Sequence, residues 1–133
     1  MGKTLEGKVA IVTGAARGTG AAIAERFCDE GAEVVLGDIL DKEGRATADR
    51  LGAPATFAPL DVTSESSWSE VIEHTLAAHS QVDILVNNAG ALHQGPIENT
   101  SEGDFRRLFE VNTLGPFLGL RAVVPAMKRR GTG

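Results

Sequence analysis

The stretch that decides the fold is Thr13-Gly14-Ala15-Ala16-Arg17-Gly18-Thr19-Gly20, because it joins a buried apolar run to an amphipathic helix. Before it, Val9–Val12 is a continuous apolar run, as expected for a strand covered on both faces of a parallel sheet. After it, Thr19–Glu30 has helical spacing and Gly31 ends the helix. Glycines at a strand-to-helix turn allow the backbone to turn tightly and to approach a ligand closely. The stretch therefore predicts a strand–turn–helix unit whose turn faces phosphate groups.

The same alternation of strand and helix continues along the chain. The further predicted elements are strands at Glu33–Leu36, Ala55–Leu60 and Val82–Val86, and helices at Asp41–Leu51, after Thr63-Ser64, and from Ser101 to Arg130. Strands that alternate with helices of this length indicate an α/β fold with a parallel sheet covered on both faces. We predict one Rossmann-type doubly wound domain over residues 1–133 with strand order 3-2-1-4. Pro59 agrees with this order. Proline has no N–H to donate to a neighbouring strand and is therefore found in edge strands, and the third strand is an edge in this order.

The composition excludes several classes of function. The formal net charge is −5, from 13 basic and 18 acidic residues, so the chain lacks the basic surface that nucleic acids and anionic membranes require. Cys28 is the single cysteine, which leaves no disulfide framework and no thiol-rich metal site. The segment Met1–Lys8 has no apolar signal sequence, and no run is long enough to span a membrane. We expect a cytoplasmic protein that binds no nucleic acid, membrane or metal.

Polar and small residues follow the first two strands, at the edge where parallel sheets bind their ligands. Gly14 permits the turn, and Gly18 and Gly20 allow the backbone to reach a pyrophosphate and the helix to pack closely. A plain strand–helix turn is the alternative. Asp38 ends the second strand, where a carboxylate can accept both ribose hydroxyls and repels a 2′-phosphate. Arg17 could attract such a phosphate, but Asp38 would face it directly, so we predict NAD rather than NADP as the cofactor.

The third and fourth strands end in signals that are less specific. Asp61-Val62 could bond the amino group and a ring nitrogen of adenine, and it could equally be a turn before the Thr63-Ser64 helix start. Asn87-Asn88-Ala89-Gly90 offers two amides that can tie strand ends together, followed by two small residues that keep the wall thin beside a ligand. A purely structural turn is the alternative for this segment. His93 follows in a loop, where it could contact substrate or simply be exposed.

Asn112 lies in the long helical stretch, with Pro116 four residues later. Proline has no N–H, so it cannot donate the helical hydrogen bond to the carbonyl of Asn112. Our hypothesis is that Pro116 thereby leaves this carbonyl free to hold a water molecule. A solvated or neighbour-bonded asparagine is the more common explanation for such a position.

In their order and spacing, Thr13-Gly-x-x-x-Gly18-x-Gly20, Asp61, Asn87–Gly90 and Asn112 resemble the short form of the short-chain dehydrogenase/reductase family. Val34–Asp41 and Val123–Lys128 are most similar to its hydroxysteroid and alcohol dehydrogenase branch, and the resemblance covers essentially the whole chain. It implies an NAD-dependent oxidoreductase that interconverts small secondary alcohols and ketones by hydride transfer. Thr19 stands where the family usually has Ile or Leu, but its backbone N–H can still serve. The motifs and the resemblance together predict a cofactor site formed by Gly14, Arg17, Gly18, Thr19, Gly20, Asp38, Asp61, Val62, Asn88, Ala89 and Gly90.

The resemblance also implies which catalytic groups this chain holds. The family uses a tyrosine, a lysine, a serine and an asparagine, and only Asn112 matches, with a main-chain carbonyl that would hold the water of a proton relay. The sequence contains no tyrosine, and Lys128 ends a helix instead of following a tyrosine. We expect the N-terminal, NAD-binding half of such an enzyme, which ends before the serine and the Tyr-x-x-x-Lys pair and leaves Ile84–Val86 as an unpaired strand edge.

The sequence leaves three hypotheses about the function of the chain. The first is that the chain binds NAD weakly without turnover, as part of an enzyme whose full-length form is a homodimer or homotetramer through the long helix. The second is a non-catalytic dinucleotide-binding module. The third is a methyltransferase, whose sheet also has glycines after its first strand and an acid after its second. The Asn87–Gly90 segment and the spacing of the glycines argue against the third.

Overall fold

The computed structural model describes residues 2–133, so Met1 lies outside the described part of the predicted domain. Five helices and four strands follow one another in the expected alternation. They are β1 Val9–Thr13, α1 Gly18–Asp29, β2 Glu33–Asp38, α2 Asp41–Leu51, β3 Ala55–Pro59, α3 Glu65–His79, β4 Ile84–Val86, α4 Glu102–Phe109 and α5 Gly115–Arg130. A 3₁₀ turn at Ile97–Asn99 precedes α4, and a π turn at Glu110–Leu114 joins α4 to α5.

The sheet is parallel and has the order β3-β2-β1-β4, which confirms the predicted fold class. Pro59 lies in the edge strand β3, opposite Asp38 of β2. Within residues 2–133, β4 pairs with β1 alone and forms the other edge, and its residues are only partly buried. Because β1 and β2 are the inner strands, their carboxyl ends are flanked by the ends of β3 and β4.

Alternate residues of the inner strands point into two separate cores, as the pleat of a strand requires. Ile11 and Val35 pack with Trp68 of α3 and Val123 of α5 on one face. The residues next to them in β1 and β2 pack with α1 and α2 on the other face. Burial on both faces explains why the inner strands are continuous apolar runs instead of alternating ones.

The fourth strand is shorter than predicted, since it begins at Ile84 and not at Val82. Asp83 takes over the pairing before it: its N–H donates to the Val9 carbonyl at 2.8 Å, and its Oδ2 accepts the Val9 N–H at 2.9 Å. A side-chain carboxylate therefore replaces a backbone acceptor at the start of this edge. The other predicted bounds differ by one or two residues.

The single long helix predicted from Ser101 to Arg130 is wrong in one respect, because the π turn interrupts it. At this turn the Gly115 N–H donates to the carbonyl of Glu110, five residues back. Pro116, at the start of α5, has no N–H to donate, and a widened turn is one way in which a helix accommodates that loss. No helix among residues 2–133 has both the length and the apolar character needed to cross a membrane.

Candidate functional site

The carboxyl ends of the strands open into one cleft of about 520 Å³. All the residues that the sequence predicted for the cofactor line this cleft, namely Gly14, Arg17, Gly18, Thr19, Gly20, Asp38, Asp61, Val62, Asn88, Ala89 and Gly90. Residues that no motif indicated line it as well: Ile39, Leu40, Leu60, Ala91, Arg107 and Val111. Ile39 and Leu40 follow the predicted Asp38 directly, so they could have been inferred. Arg107 and Val111 come from a distant helix and carry no local signal.

The glycine turn between β1 and α1 forms the floor of the cleft. Gly14 and Gly18 have φ values of 65° and 60°, a region that side chains with a Cβ rarely adopt. A Cβ at Gly18 would have no protein atom within 4 Å and would point into open space, whereas a Cβ at Gly20 would overlap the Gly14 carbonyl oxygen. Gly18 thus leaves open space beside the cleft, whereas Gly20 is closely packed against the Gly14 carbonyl.

The first turn of α1 presents its backbone N–H groups without a side-chain cap. Arg17 precedes the helix in extended conformation, and within the described residues no side chain bonds the free N–H groups of the first turn. Such groups attract anions, because they carry partial positive charge and lack acceptors. Together with the open space at Gly18, this arrangement fits a diphosphate.

The Asp38 carboxylate is held between the glycine turn and the end of its own strand. Its Oδ2 accepts the Ala16 N–H at 3.0 Å, and its Oδ1 accepts the Leu40 N–H at 3.0 Å. The Ala16 carbonyl in turn accepts the Thr47 hydroxyl at 2.7 Å, which ties the glycine turn to α2. Each carboxylate oxygen retains a free lone pair, so Asp38 can accept two further hydrogen bonds from a ligand.

Asp61 has a visible structural role in the turn after β3. Its Oδ1 accepts both the N–H of Thr63 at 2.9 Å and the hydroxyl of Thr63 at 2.7 Å. The next residue, Val62, is buried, and its carbonyl accepts the Trp68 indole N–H at 3.0 Å. The turn alternative weighed for Asp61 is therefore present, while the residue also lines the cleft.

The turn after β4 is tied to the end of β1 by side chains. Asn88 donates through Nδ2 to the carbonyls of Thr13 at 2.9 Å and Gly14 at 3.2 Å. The Thr13 hydroxyl accepts the N–H groups of Asn88 at 3.0 Å and Ala89 at 2.9 Å. Asn87 points elsewhere, with Nδ2 at 3.5 Å from the Pro116 carbonyl. Of the two amides, one joins neighbouring strand ends and the other reaches α5.

Asn112 lies inside the π turn and bonds the loop that follows Gly90. Its Oδ1 accepts the Ala91 N–H at 2.8 Å, and its Nδ2 donates to the Ala91 carbonyl at 2.9 Å. The side chain therefore bonds a neighbouring segment, which agrees with the common explanation given above for an asparagine at such a position. Its main-chain carbonyl can accept nothing from Pro116, so the water site at this carbonyl stays a prediction.

His93 is not among the residues that line the cleft. Its Nδ1 lies 3.9 Å from Oδ1 of Asp104, in the first turn of α4. Hydrogen bonds from Ser101 are the main reason why the pKa of Asp104 lies below its usual value, and the nearby charges of His93 and Arg107 add to the effect. The structure thus places His93 beside the start of α4.

Comparison with known proteins agrees with this architecture. The model of a family described as short chain dehydrogenase matches residues 8–133. A 3-alpha-(or 20-beta)-hydroxysteroid dehydrogenase of Mycobacterium tuberculosis is 45% identical over 133 residues, which cover 100% of this chain and 51% of that protein. A trans-4-hydroxycyclohexanecarboxylate dehydrogenase of Sinomonas cyclohexanicum is 41% identical, with 93% and 51% covered. The chain therefore spans about half the length of these curated relatives.

Among solved structures, a 3-ketoacyl-(acyl-carrier-protein) reductase from Brucella melitensis, crystallised with NADH, superimposes with a TM-score of 0.94. The two sequences are 36% identical, and the match covers 96% of this chain and 53% of that one. The likeness thus extends over nearly all the elements that surround the cleft.

Proposed function

The chain belongs to the short-chain dehydrogenase family, and from that premise we propose that its cleft binds NAD for hydride transfer between a secondary alcohol and a ketone. The family is one of oxidoreductases, and its members named above include dehydrogenases and a reductase. The observation that carries the proposal is the position of Asp38, whose carboxylate is fixed beside the glycine turn with two free lone pairs.

Each part of the cleft has a chemical task in this proposal. The N–H groups at the start of α1, opposite the open space at Gly18, hold the diphosphate, and Arg17 adds positive charge to it. Asp38 accepts the hydroxyls of the adenosine ribose, and Asp61 with Val62 binds the adenine. Asn88, Ala89 and Gly90 form the wall toward the nicotinamide. When bound, the cofactor supplies the group that accepts or returns the hydride.

We assign NAD rather than NADP to the cleft on electrostatic grounds. A 2′-phosphate placed at Asp38 would bring two negative charges together, and the carboxylate cannot move away without losing its bonds to Ala16 and Leu40. Arg17 lines the same cleft and favours the phosphate. Two backbone N–H groups hold the Asp38 carboxylate in place, so we expect its charge to dominate over that of Arg17.

Asn112 is the proposed catalytic residue of this half of the site. Its side chain bonds Ala91, while its main-chain carbonyl has no donor at Pro116. That carbonyl would hold a water molecule for proton transfer during the oxidation of the alcohol. The side chain and the backbone of Asn112 thus have separate tasks: the first holds the loop, and the second serves the chemistry.

Calorimetric titration of the chain with NADH, NADPH and S-adenosylmethionine tests the cofactor assignment. We expect NADH to bind more tightly than NADPH and S-adenosylmethionine to give no heat. Absence of NADH binding at millimolar concentration, or tighter binding of S-adenosylmethionine, would contradict the proposal. Tighter binding of NADPH would leave the oxidoreductase class intact and overturn the role given to Asp38.

We propose that the 133-residue chain binds NAD without turnover, because it contains no tyrosine to act as the family's general acid and base. NADH formation from secondary alcohols, followed by absorbance, measures this. Turnover by the chain alone would contradict it. Binding without turnover in a longer protein that carries this chain would instead favour the alternative, a non-catalytic dinucleotide-binding module.

We also propose that a longer protein carrying this chain is a homodimer or homotetramer through α4 and α5. Large apolar side chains are exposed along these helices: Phe105, Phe109, Phe117, Leu120 and Val124. An open hollow of about 650 Å³ lies along α5 between several of them. Exposed apolar surface of this kind favours an interface. Sedimentation analysis should show a monomer after Phe117→Asp, and a wild-type protein that is monomeric at all concentrations would overturn the proposal.

A further inference from the structure

Arg107 lines the cofactor cleft although no sequence motif pointed to it. It lies on α4, four residues before Val111, so the two side chains share one face of the helical segment. Val111 packs against the core cluster that contains Val62. At the start of α5, a Cβ on Gly115 would lie 2.9 Å from Cγ2 of Val62. The helical face that carries Arg107 is therefore packed against the end of β3, where the proposed adenine site lies.

The two neighbouring arginines of α4 have different surroundings. Arg106 bonds Glu102 at 2.7 Å and lies on the outer face of the helix, beside Phe105 and Phe109. Arg107 forms no ion pair within 4.0 Å among residues 2–133, although its charge acts on the nearby Asp104. Arg107 is exposed and lines the cleft. A cation without a fixed partner at a binding cleft is available to a ligand.

We propose that Arg107 covers the adenine ring of the cofactor, with its guanidinium stacked on the outer face of the purine. This inference rests on the proposed function, because it needs NAD in the cleft. Val62 and Val111 offer apolar contacts to the purine from the protein side, and Arg107 is the next residue outward along the same helix face. A planar guanidinium stacks well on an aromatic face and loses little hydration in doing so.

Stacking and simple charge attraction predict different results. An arginine that only attracts the diphosphate can be replaced by lysine, since both carry one positive charge. A stacked guanidinium cannot, because the compact ammonium lacks the planar surface. The glycine turn and Arg17 already serve the diphosphate, so the tertiary position of Arg107 favours stacking.

The test is calorimetric titration of the chain and three variants with NADH, AMP and reduced nicotinamide mononucleotide. Arg107→Ala should weaken NADH and AMP binding by about 3- to 10-fold and leave the mononucleotide unchanged, because the mononucleotide has no adenine. Arg107→Lys should weaken NADH and AMP binding nearly as much. Arg106→Ala is the matched control, which removes the same charge one residue away and should change none of the three affinities.

Three outcomes would overturn the inference even if the wild-type chain binds NADH, a result that upholds the cofactor assignment. They are unchanged AMP affinity in Arg107→Ala, full recovery in Arg107→Lys, and an equal loss for AMP and the mononucleotide. Failure of the wild-type chain to bind NADH and AMP would overturn the proposed function together with this inference. Circular dichroism melts of the variants should match the wild type, since both arginines are exposed.

Discussion

The side-chain amide of Asn112 bonds both backbone groups of Ala91, with Oδ1 at 2.8 Å from its nitrogen and Nδ2 at 2.9 Å from its carbonyl oxygen. One asparagine thus joins the π turn between α4 and α5 to the loop that leaves the end of β4. The position of the π turn, set beside Pro116, and the position of the loop are therefore coupled. The wall of the cleft at Gly90 depends on this coupling, since a Cβ added to Gly90 would lie only 3.4 Å from Asn112 Oδ1.

Replacing Asn112 by Ala should release the loop after Gly90. Both hydrogen bonds to Ala91 are lost, and each contributes about 0.5–1.5 kcal/mol, so we expect a loss of about 1–3 kcal/mol in the free energy of unfolding. Urea denaturation measures this loss. Hydrogen exchange at the Ala91 amide should accelerate by more than the loss of global stability accounts for. Thr113→Ala, at the neighbouring exposed position, is the control. Unchanged exchange at Ala91 in Asn112→Ala would refute the coupling.

The Thr13 hydroxyl should be indispensable for the turn after β4. It is buried, donates to the Val86 carbonyl at 3.3 Å and accepts the N–H groups of Asn88 and Ala89. Thr13→Val keeps the shape but deprives the half-buried Ala89 N–H of its acceptor and leaves the Asn88 N–H with the Val86 carbonyl alone. We expect a cost of about 1–2 kcal/mol in unfolding free energy. Thr13→Ser keeps the hydroxyl and should retain most of the unfolding free energy that Thr13→Val loses. Equal stability of the Val and Ser variants in urea would show that the hydroxyl does not hold this turn.

Alanine substitutions at Gly18 and Gly52 distinguish two effects of an added Cβ: backbone strain and blockage of the cleft. Both have positive φ, 60° and 85°, and a Cβ at either meets no protein atom within 4 Å. Alanine at either site should therefore destabilise the fold, by about 1 kcal/mol or more. The cost should be larger at Gly52, whose ψ of −159° lies in a region that essentially only glycine adopts. Only Gly18→Ala should abolish NADH binding, because only Gly18 lines the cleft. Thermal melts and NADH titration test this pair, and loss of binding in Gly52→Ala would mean that strain alone impairs the site.

Removing the charge of Asp38 should reduce the preference for NADH. Asn at this position can still accept the Ala16 N–H but does not repel a 2′-phosphate. We expect the ratio of NADPH to NADH affinity to rise by about 10-fold, which corresponds to about 1.4 kcal/mol. Fluorescence titration with both dinucleotides measures the ratio. Asp41→Asn, which breaks an exposed pair with Arg45 on α2, should leave it unchanged, and an unaltered ratio in Asp38→Asn would assign the discrimination elsewhere.

Acid should weaken the start of α4 through Asp104. Hydrogen bonds from Ser101 lower the pKa of Asp104, so the folded chain holds a proton at this carboxyl less tightly than the unfolded chain does. The resulting stability is fully present above the unfolded pKa of about 3.9 and is lost as the pH falls through the lower folded pKa. Urea midpoints should therefore differ between the wild type and Asp104→Asn at neutral pH and converge in acid. Ser101→Ala should converge only in part, because the hydrogen bond from the Asp104 N–H to Ser101 Oγ does not titrate. A pH-independent difference for Asp104→Asn would exclude this linkage.

The residues that could be predicted for the cofactor cleft all lie beside a strand end. Gly14, Gly18 and Asp38 could be found because their chemistry follows directly after a recognisable buried strand, and parallel strands bring their carboxyl ends together. Arg107 and Val111 could not be found in this way. They belong to a helix whose angle to the sheet depends on packing against Val62, and no pattern in the sequence encodes that angle.

The sequence by itself determined the order and type of the elements, the parallel sheet and the composition of the glycine turn, because burial patterns and glycine conformation act over a few residues. The tertiary structure alone decided which distant groups meet. Asn88 reaches Thr13 across 75 positions of sequence, and Asn112 reaches Ala91 across 21. Such contacts depend on how the helices pack on the sheet. Asn112 makes its contact from the π turn that directly precedes α5, where Pro116 has no N–H to donate.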